Sequence, residues 1–157
     1  MVEVILNDIA WYLHNQDIIT YDPRGLSGNI FIDTLPNNPD EAVALYNTAG
    51  TGELGIDIDE LGMQVITRGT RDPRVAYDLA WDIYNKLHGF GTGYLTEDGA
   101  FFLDPTFPAD VEATRITDIQ ATDAPFHISS SKDGTTDNSG RHLYSTNYII
   151  RTKNNER

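Results

Sequence analysis

The stretch from residue 61 to residue 89 changes its apolar period once, from two to about 3.6 residues, and this change constrains the fold more than any other feature. Residues 61–68 read LGMQVITR, and their apolar side chains alternate with polar ones. Because successive side chains of a strand point to opposite faces, this alternation predicts a β-strand with one buried face. The alternating positions are Leu61, Met63 and Val65.

A helix is predicted to follow this strand over residues 73–88. Asp72 can cap free backbone amides, and Pro73 has no amide to lose at the first helical position. Gly89 suits the left-handed conformation in which many helices end. Side chains at helical spacing form the stripe that should be buried, and they are Val75, Ala76, Leu79, Ala80, Ile83, Tyr84 and Leu87.

The rest of the chain reads as one further helix and several short strands. Apolar residues at helical spacing predict an amphipathic helix over residues 2–14. Strands are predicted at residues 30–32, 42–48, 100–103, 111–119, 124–129 and 141–152. The glycine-rich, acidic residues 50–62 predict a hairpin or an exposed loop before the alternating strand. Strands in runs with only two principal helices indicate an α+β fold, a mostly antiparallel sheet with both helices on one face.

The chain has the length of a single domain, which we assign to residues 1–157. Turn-forming residues predict flexible loops over about 21–39, 90–110 and 129–140, and a frayed tail over 153–157. The chain contains no cysteine, which excludes disulfides, thiolate metal sites and thiol nucleophiles.

The formal net charge is −13, and this excludes a tight grip on DNA or RNA because the protein would repel the phosphate backbone. Of the 24 acidic residues, 17 are aspartate, a balance that is familiar from proteins working at high salt. No stretch is long and apolar enough for a membrane span, and the N-terminus lacks the pattern of a signal peptide. We therefore expect a soluble protein that is made in a cytoplasm.

No residues form a recognisable catalytic, cofactor or metal motif. The cluster Asp57, Asp59 and Glu60 could bind a hard cation, but no histidine or further carboxylate nearby completes a shell. A solvated acidic segment is therefore the favoured interpretation. The four histidines lie far apart in the sequence, at His14, His88, His127 and His142. A small metal-dependent hydrolase that joins the acidic cluster to a distant histidine remains the alternative from another class.

Three of the chain's eleven basic residues lie within seven positions, at Arg68, Arg71 and Arg74. In one interpretation they are exposed at a strand-to-helix turn, and Arg74 pairs with Asp78 one helical turn on. In the other they dock against an acidic segment of a second copy, which gives a head-to-tail contact of the kind that closes rings. The predicted subunit interface therefore comprises Arg68, Arg71, Arg74, Asp57, Asp59 and Glu60.

Two segments resemble a known protein family. They are QVITRGTRDPRVAYDLAWDIYNKLHG at residues 64–89 and GRHLYSTNYIIR at residues 140–151. Together with the N-terminal helix, they resemble the tail terminator proteins of long-tailed phages and archaeal tailed viruses, which are also described as minor capsid, tail completion or head-tail joining proteins.

The resemblance implies a structural virion protein with no enzymatic activity and no cofactor. It implies a homohexameric ring in the neck that ends the tail tube and joins it to a head-side connector or stopper protein. Double-stranded DNA would pass through an acidic lumen without specific binding, and no membrane would be involved. A head-completion or adaptor protein, or a tail tube subunit, is the alternative within this class.

Overall fold

The computed structural model describes residues 2–53, 58–130 and 140–153. Two helices are present, α1 (Val2–Asn15) and α2 (Pro73–Leu87). The strands are β1 (Ile30–Ile32), β2 (Ala42–Glu53), β3 (Ile58–Arg68), β4 (Gly93–Thr96), β5 (Phe101–Phe102), β6 (Ala113–Ala121), β7 (Phe126–Ser130) and β8 (His142–Lys153).

The eight strands form one curled sheet in the order β1-β2-β3-β8-β6-β4-β5, and β7 pairs with β8 outside this path. Only the β1–β2 pair is parallel among the described strands. The strand β8 lies at the centre, since β3 pairs with one edge of it while β7 and then β6 pair with the other. The predicted α+β fold with a mostly antiparallel sheet and two principal helices is confirmed.

Both helices pack on the same face of the sheet, as predicted. Val43 and Leu45 of β2 share a buried core with Ile5 and Ile9 of α1. On the same face, Thr67 lies opposite Val43 in the β2–β3 register, and its hydroxyl donates a hydrogen bond to a carbonyl of α2. The core therefore lies between the helices and this face of the sheet.

The helix α2 begins and ends as its sequence indicates. The Asp72 side chain accepts a hydrogen bond from the Arg74 amide at 3.0 Å, and Pro73 is the first helical residue. Gly89 follows the helix with a φ of 77°, in the left-handed region. The fully buried side chains are Ala76, Ala80, Ile83 and Leu87, whereas Val75, Leu79 and Tyr84 are half-buried.

The predicted loop over residues 90–110 is wrong in one respect, because it contains two strands, β4 and β5, instead of at most one. The three glycines at and before the start of β4 indicate a loop in the sequence instead of a strand. One of these, Gly93, is buried beneath the ring of Phe101, so a Cβ there would collide with the ring. The absent side chain is what allows β5 to fold back onto β4.

Residues 50–62 form a hairpin instead of an exposed loop, since β2 and β3 continue through them as far as the pair Glu53–Asp59. Its tip at 54–57 lies outside the described residues, as do most of the predicted loop 129–140 and residues 154–157 of the predicted tail.

The turn between β4 and β5 closes onto α1 through Gly99. This residue has a φ of 84°, and a Cβ on it would lie 2.5 Å from the backbone nitrogen of Tyr12 and 2.7 Å from the carbonyl oxygen of Trp11. The Asn15 side chain also donates a hydrogen bond to the carbonyl of Asp98 at 2.8 Å. The sheet therefore curls, so that the turn between β4 and β5 contacts α1, the helix that packs on β1 and β2.

We predict that Gly99→Ala lowers the free energy of unfolding by roughly 2–4 kcal/mol, because backbone strain and collision with α1 add together. Gly89→Ala is the matched control: its φ is also positive, but nothing lies within 4 Å of the added Cβ. Gly89→Ala should lower the free energy of unfolding by only about 1 kcal/mol. Urea unfolding of both variants measures the difference, and equal losses would contradict the close approach at Gly99.

Candidate contact surfaces

Arg68, at the end of β3, is buried, so the prediction that it is exposed is wrong. Its side chain lies on the face of the sheet opposite the helices and is only 4% exposed. Its guanidinium donates hydrogen bonds to the carbonyl of Asp40 at 3.0 Å and to that of Pro39 at 2.6 Å. Arg68 therefore holds the 37–40 segment, and it is not available to a second copy.

Arg141, just before β8, holds the same segment, and the sequence did not single it out. Its guanidinium donates to the carbonyl of Asn37 at 2.7 Å and to the Asp40 carboxylate at 3.2 Å. Burial and the nearby positive charge of Arg141 lower the pKa of Arg68 to about 10, so Arg68 remains charged at neutral pH. Two buried guanidiniums thus fix one surface loop by its backbone.

We predict that Arg68→Met lowers the free energy of unfolding by roughly 1–3 kcal/mol, because the carbonyls of Pro39 and Asp40 lose their charged donor. Arg71→Met removes an exposed arginine three residues away and should change stability by less than about 0.5 kcal/mol. Guanidinium unfolding compares the two variants. A loss for Arg71→Met as large as that for Arg68→Met would contradict this role.

Arg71 and Arg74 are exposed, as predicted, but Arg74 does not pair with Asp78. It pairs with the capping residue Asp72, with the two side chains 2.8 Å apart. Hydrogen bonds from the Arg74 guanidinium and amide lower the pKa of Asp72 to about 2. The side chain of Arg74 therefore folds back to Asp72 at the start of its own helix. The side chain of Arg71 lies beside Gly140.

The lowered pKa of Asp72 predicts a pH dependence. A carboxylate whose pKa is depressed by folding stabilises the fold above its unfolded pKa, near 3.8, and the effect is lost as the pH falls towards 2. Asp72→Asn keeps an oxygen that can cap the helix but removes the charge. We expect it to be less stable than the natural protein at pH 5, and the difference to shrink between pH 4 and pH 2.

Urea unfolding across this pH range tests the prediction. Asp78→Asn is the control, since it removes an exposed carboxylate from the same helix without touching the cap. A pH-independent difference between Asp72→Asn and the natural protein would contradict the charge effect.

One member of the acidic half of the predicted interface, Glu60, binds within the chain. Glu60 of β3 accepts a hydrogen bond from Arg151 of β8 at 3.1 Å. Arg151 reaches Asp118 of β6 on its other side, also at 3.1 Å. The hydrogen bond to Asp118, followed by that to Glu60, raises the pKa of Arg151. Asp59 is half-buried on β3, and Asp57 lies outside the described residues.

Two of the histidines come together, contrary to what their distance along the sequence indicated. Ring nitrogens of His127 and His142 lie 3.1 Å apart, because β7 pairs with β8. The ring nitrogens of His14 and His88 instead accept backbone hydrogen bonds, from Tyr21 and Ala121 respectively. Among the described residues, no three histidine, aspartate or glutamate side chains cluster closely enough to hold a metal ion.

A row of ring contacts joins α2 to β7 and β8, and sequence periodicity did not reveal it. Tyr77 meets the ring of Tyr144 at 5.7 Å between centroids, and Tyr144 meets His127 at 5.3 Å. Along the helix the row continues through Trp81 and Tyr84. Tyr77 is 45% exposed, so the row reaches the surface. The packing of α2 on β8 and the pairing of β7 with β8 bring these rings together.

The most exposed large apolar side chains of the described chain are Leu26, at 80%, and Leu103, at 82%. Leu26 lies in the turn before β1 and Leu103 directly after β5. These two strands are the opposite ends of the sheet order. Neither described helix is long and apolar enough to cross a membrane.

The chain matches the family described as bacteriophage tail terminator protein over residues 12–154. No curated protein shows significant similarity to the chain.

Proposed function

Because the chain belongs to the bacteriophage tail terminator family, a family of structural tail proteins, we propose that it forms a homohexameric ring in the virion neck. The ring ends the tail tube and joins it to a head-side connector or stopper protein. Double-stranded DNA passes through its acidic lumen without specific binding. The protein carries out no catalysis, needs no cofactor and assembles in the host cytoplasm.

The family match carries this proposal, since it spans α2, all eight described strands and the last turn of α1. The charge supports a passive channel: a protein of net charge −13 repels phosphates instead of exchanging counterions with them. The site geometry supports a structural role. In the described part of the chain, Glu60 is bound to Arg151, and no three histidine, aspartate or glutamate side chains lie close enough to hold the metal ion that the hydrolase alternative needs.

Native mass spectrometry tests the ring. We expect six-fold species whose fraction rises with salt, because screening weakens the repulsion between subunits of the same sign. Ammonium acetate from low to high concentration supplies the series. A monomer that binds one divalent ion at every salt concentration would instead support a metal-dependent enzyme.

Electron microscopy of particles made without this protein tests its place in the neck. Loss of a tail terminator should leave overlong tails or tails that are not joined to filled heads. Normal tails joined to filled heads would contradict the proposal. Tails of normal length beside heads that have lost their DNA would favour a head-completion or adaptor protein, and an absence of tails would favour a tube subunit.

Arg71 and Arg74 remain the accessible members of the predicted basic surface, and we propose that they face the neighbouring subunit. Arg71→Glu combined with Arg74→Glu should reduce the six-fold fraction at low salt, and high salt should restore part of it. Lys86→Glu, at the other end of α2, is the control and should assemble normally. Unchanged assembly of the double variant at low and high salt would remove both arginines from the contact.

A further inference from the structure

An apolar groove opens beside the sheet's first strand. It has a volume of about 290 Å³ and lies between the turn at 25–28 and the segment at 36–39. Its apolar lining side chains are Leu26, Phe31, Pro36 and Pro39. Small-molecule sites usually occupy roughly 300–1,000 Å³ and are more enclosed, so this groove suits a protruding side chain better than a free ligand.

The groove has a rigid wall with positive charge behind it. Arg68 and Arg141 donate to the carbonyls of Asn37 and Pro39, which border the lining. Arg71 lies on the same side of the molecule, because its side chain adjoins Gly140, the residue before Arg141. Arg68 and Arg141 therefore lie behind the wall of the groove, and Arg71 lies on the exposed surface beside Gly140.

The loop after β5 has the complementary character. Leu103 extends into solvent there and is 82% exposed. The surrounding residues 97–112 contain no lysine, arginine or histidine, and all their acidic side chains are exposed. These are Glu97, Asp98, Asp104, Asp110 and Glu112.

The groove and this loop lie at different places in the sheet. The groove adjoins β1 and the ends of β3 and β8 that carry Arg68 and Leu143. Leu103 instead follows Phe102 of β5, which pairs with Tyr94 of β4. Tyr94 pairs with Arg115 of β6, and the next residue of β6 pairs with Thr152, so Leu103 lies towards the Thr152 end of β8. Two complementary but different patches on one chain produce a head-to-tail contact, which closes into a ring when its rotation permits.

We propose that Leu103 of each subunit inserts into the groove of the next copy, with the acidic 97–112 loop facing the arginines around it. This inference rests on the proposed ring and names its contact. Of the basic residues that the sequence predicts for the interface, it keeps the exposed Arg71. It replaces the acidic half: the partner is the 97–112 segment and not residues 57–60.

The absence of native cysteines makes cross-linking a direct test. A mixture of the single variants Leu26→Cys and Leu103→Cys should form a disulfide-linked dimer on oxidation, whereas either variant alone should not. The double variant should give a ladder of covalent species that ends at six subunits. Leu103→Cys mixed with Ile128→Cys is the matched control, because Ile128 is also exposed but lies on β7; it should remain unlinked.

Leu103→Ser supplies a second measurement that needs no cross-link. Loss of the apolar contact at every interface should raise the protein concentration needed for half-assembly by roughly tenfold or more. Ile128→Ser should leave it unchanged, and circular dichroism should show both variants folded.

The outcomes separate the contact from the ring. Six-fold species without the Leu26–Leu103 cross-link, dimers of Leu103→Cys alone, or cross-links to Ile128→Cys would overturn the contact and leave the ring standing. A natural protein that stays monomeric at high salt and high concentration, with no cross-link in any mixture, would overturn both.

Discussion

The pairing of β3 with β8 is the constraint on which the rest of the structure depends. Eleven consecutive residue pairs join the two strands, from Ile58–Lys153 to Arg68–Leu143, without a register shift. Because the side-chain period of a strand is two, this register decides which residues face the helices. Met63 and Val65 thereby lie with Tyr148 and Thr146 on the core side, and Arg68 is placed on the other face.

The end of this strand pair is where the scarce positive charge collects. A buried arginine is costly unless its donors find acceptors, and here the backbone of the 37–40 segment supplies them. Arg68 at the end of β3 and Arg141 just before β8 are far apart in the sequence, yet the β3–β8 register places them within range of one loop. The basic cluster of the sequence thus divides into a buried residue that shapes a loop, Arg68, and two exposed residues, Arg71 and Arg74.

The exposed arginines also matter for how subunits that all carry a net negative charge could assemble. Like-charged chains repel one another, so a ring of them needs local complementarity to overcome the overall repulsion. A contact that combines an apolar side chain with opposite charges around it meets this need, and screening at high salt would assist it. In the ring that we propose, an acidic lumen would serve DNA passage, because its wall would not bind the DNA that moves through it.

The local elements could be predicted from the amino-acid sequence: the alternating strand, the capped start of α2 at Asp72, its glycine end, and the α+β class. These follow from neighbouring residues, since capping, periodicity and left-handed glycines act within a few positions of the chain. Family membership was also visible in two contiguous segments. Such features need no knowledge of what lies across the sheet.

Only the tertiary structure decided the burial of Arg68, the partnership of Glu60 with Arg151, the meeting of His127 with His142, and the strand that begins at Gly93. Each depends on a residue many positions away, supplied by strand register or by the curl of the sheet onto α1. The sequence alone shows that Arg68 and Glu60 carry charged side chains. It does not show that the partners of both lie within the chain, because long-range pairing is set by the whole sheet and not by any one segment.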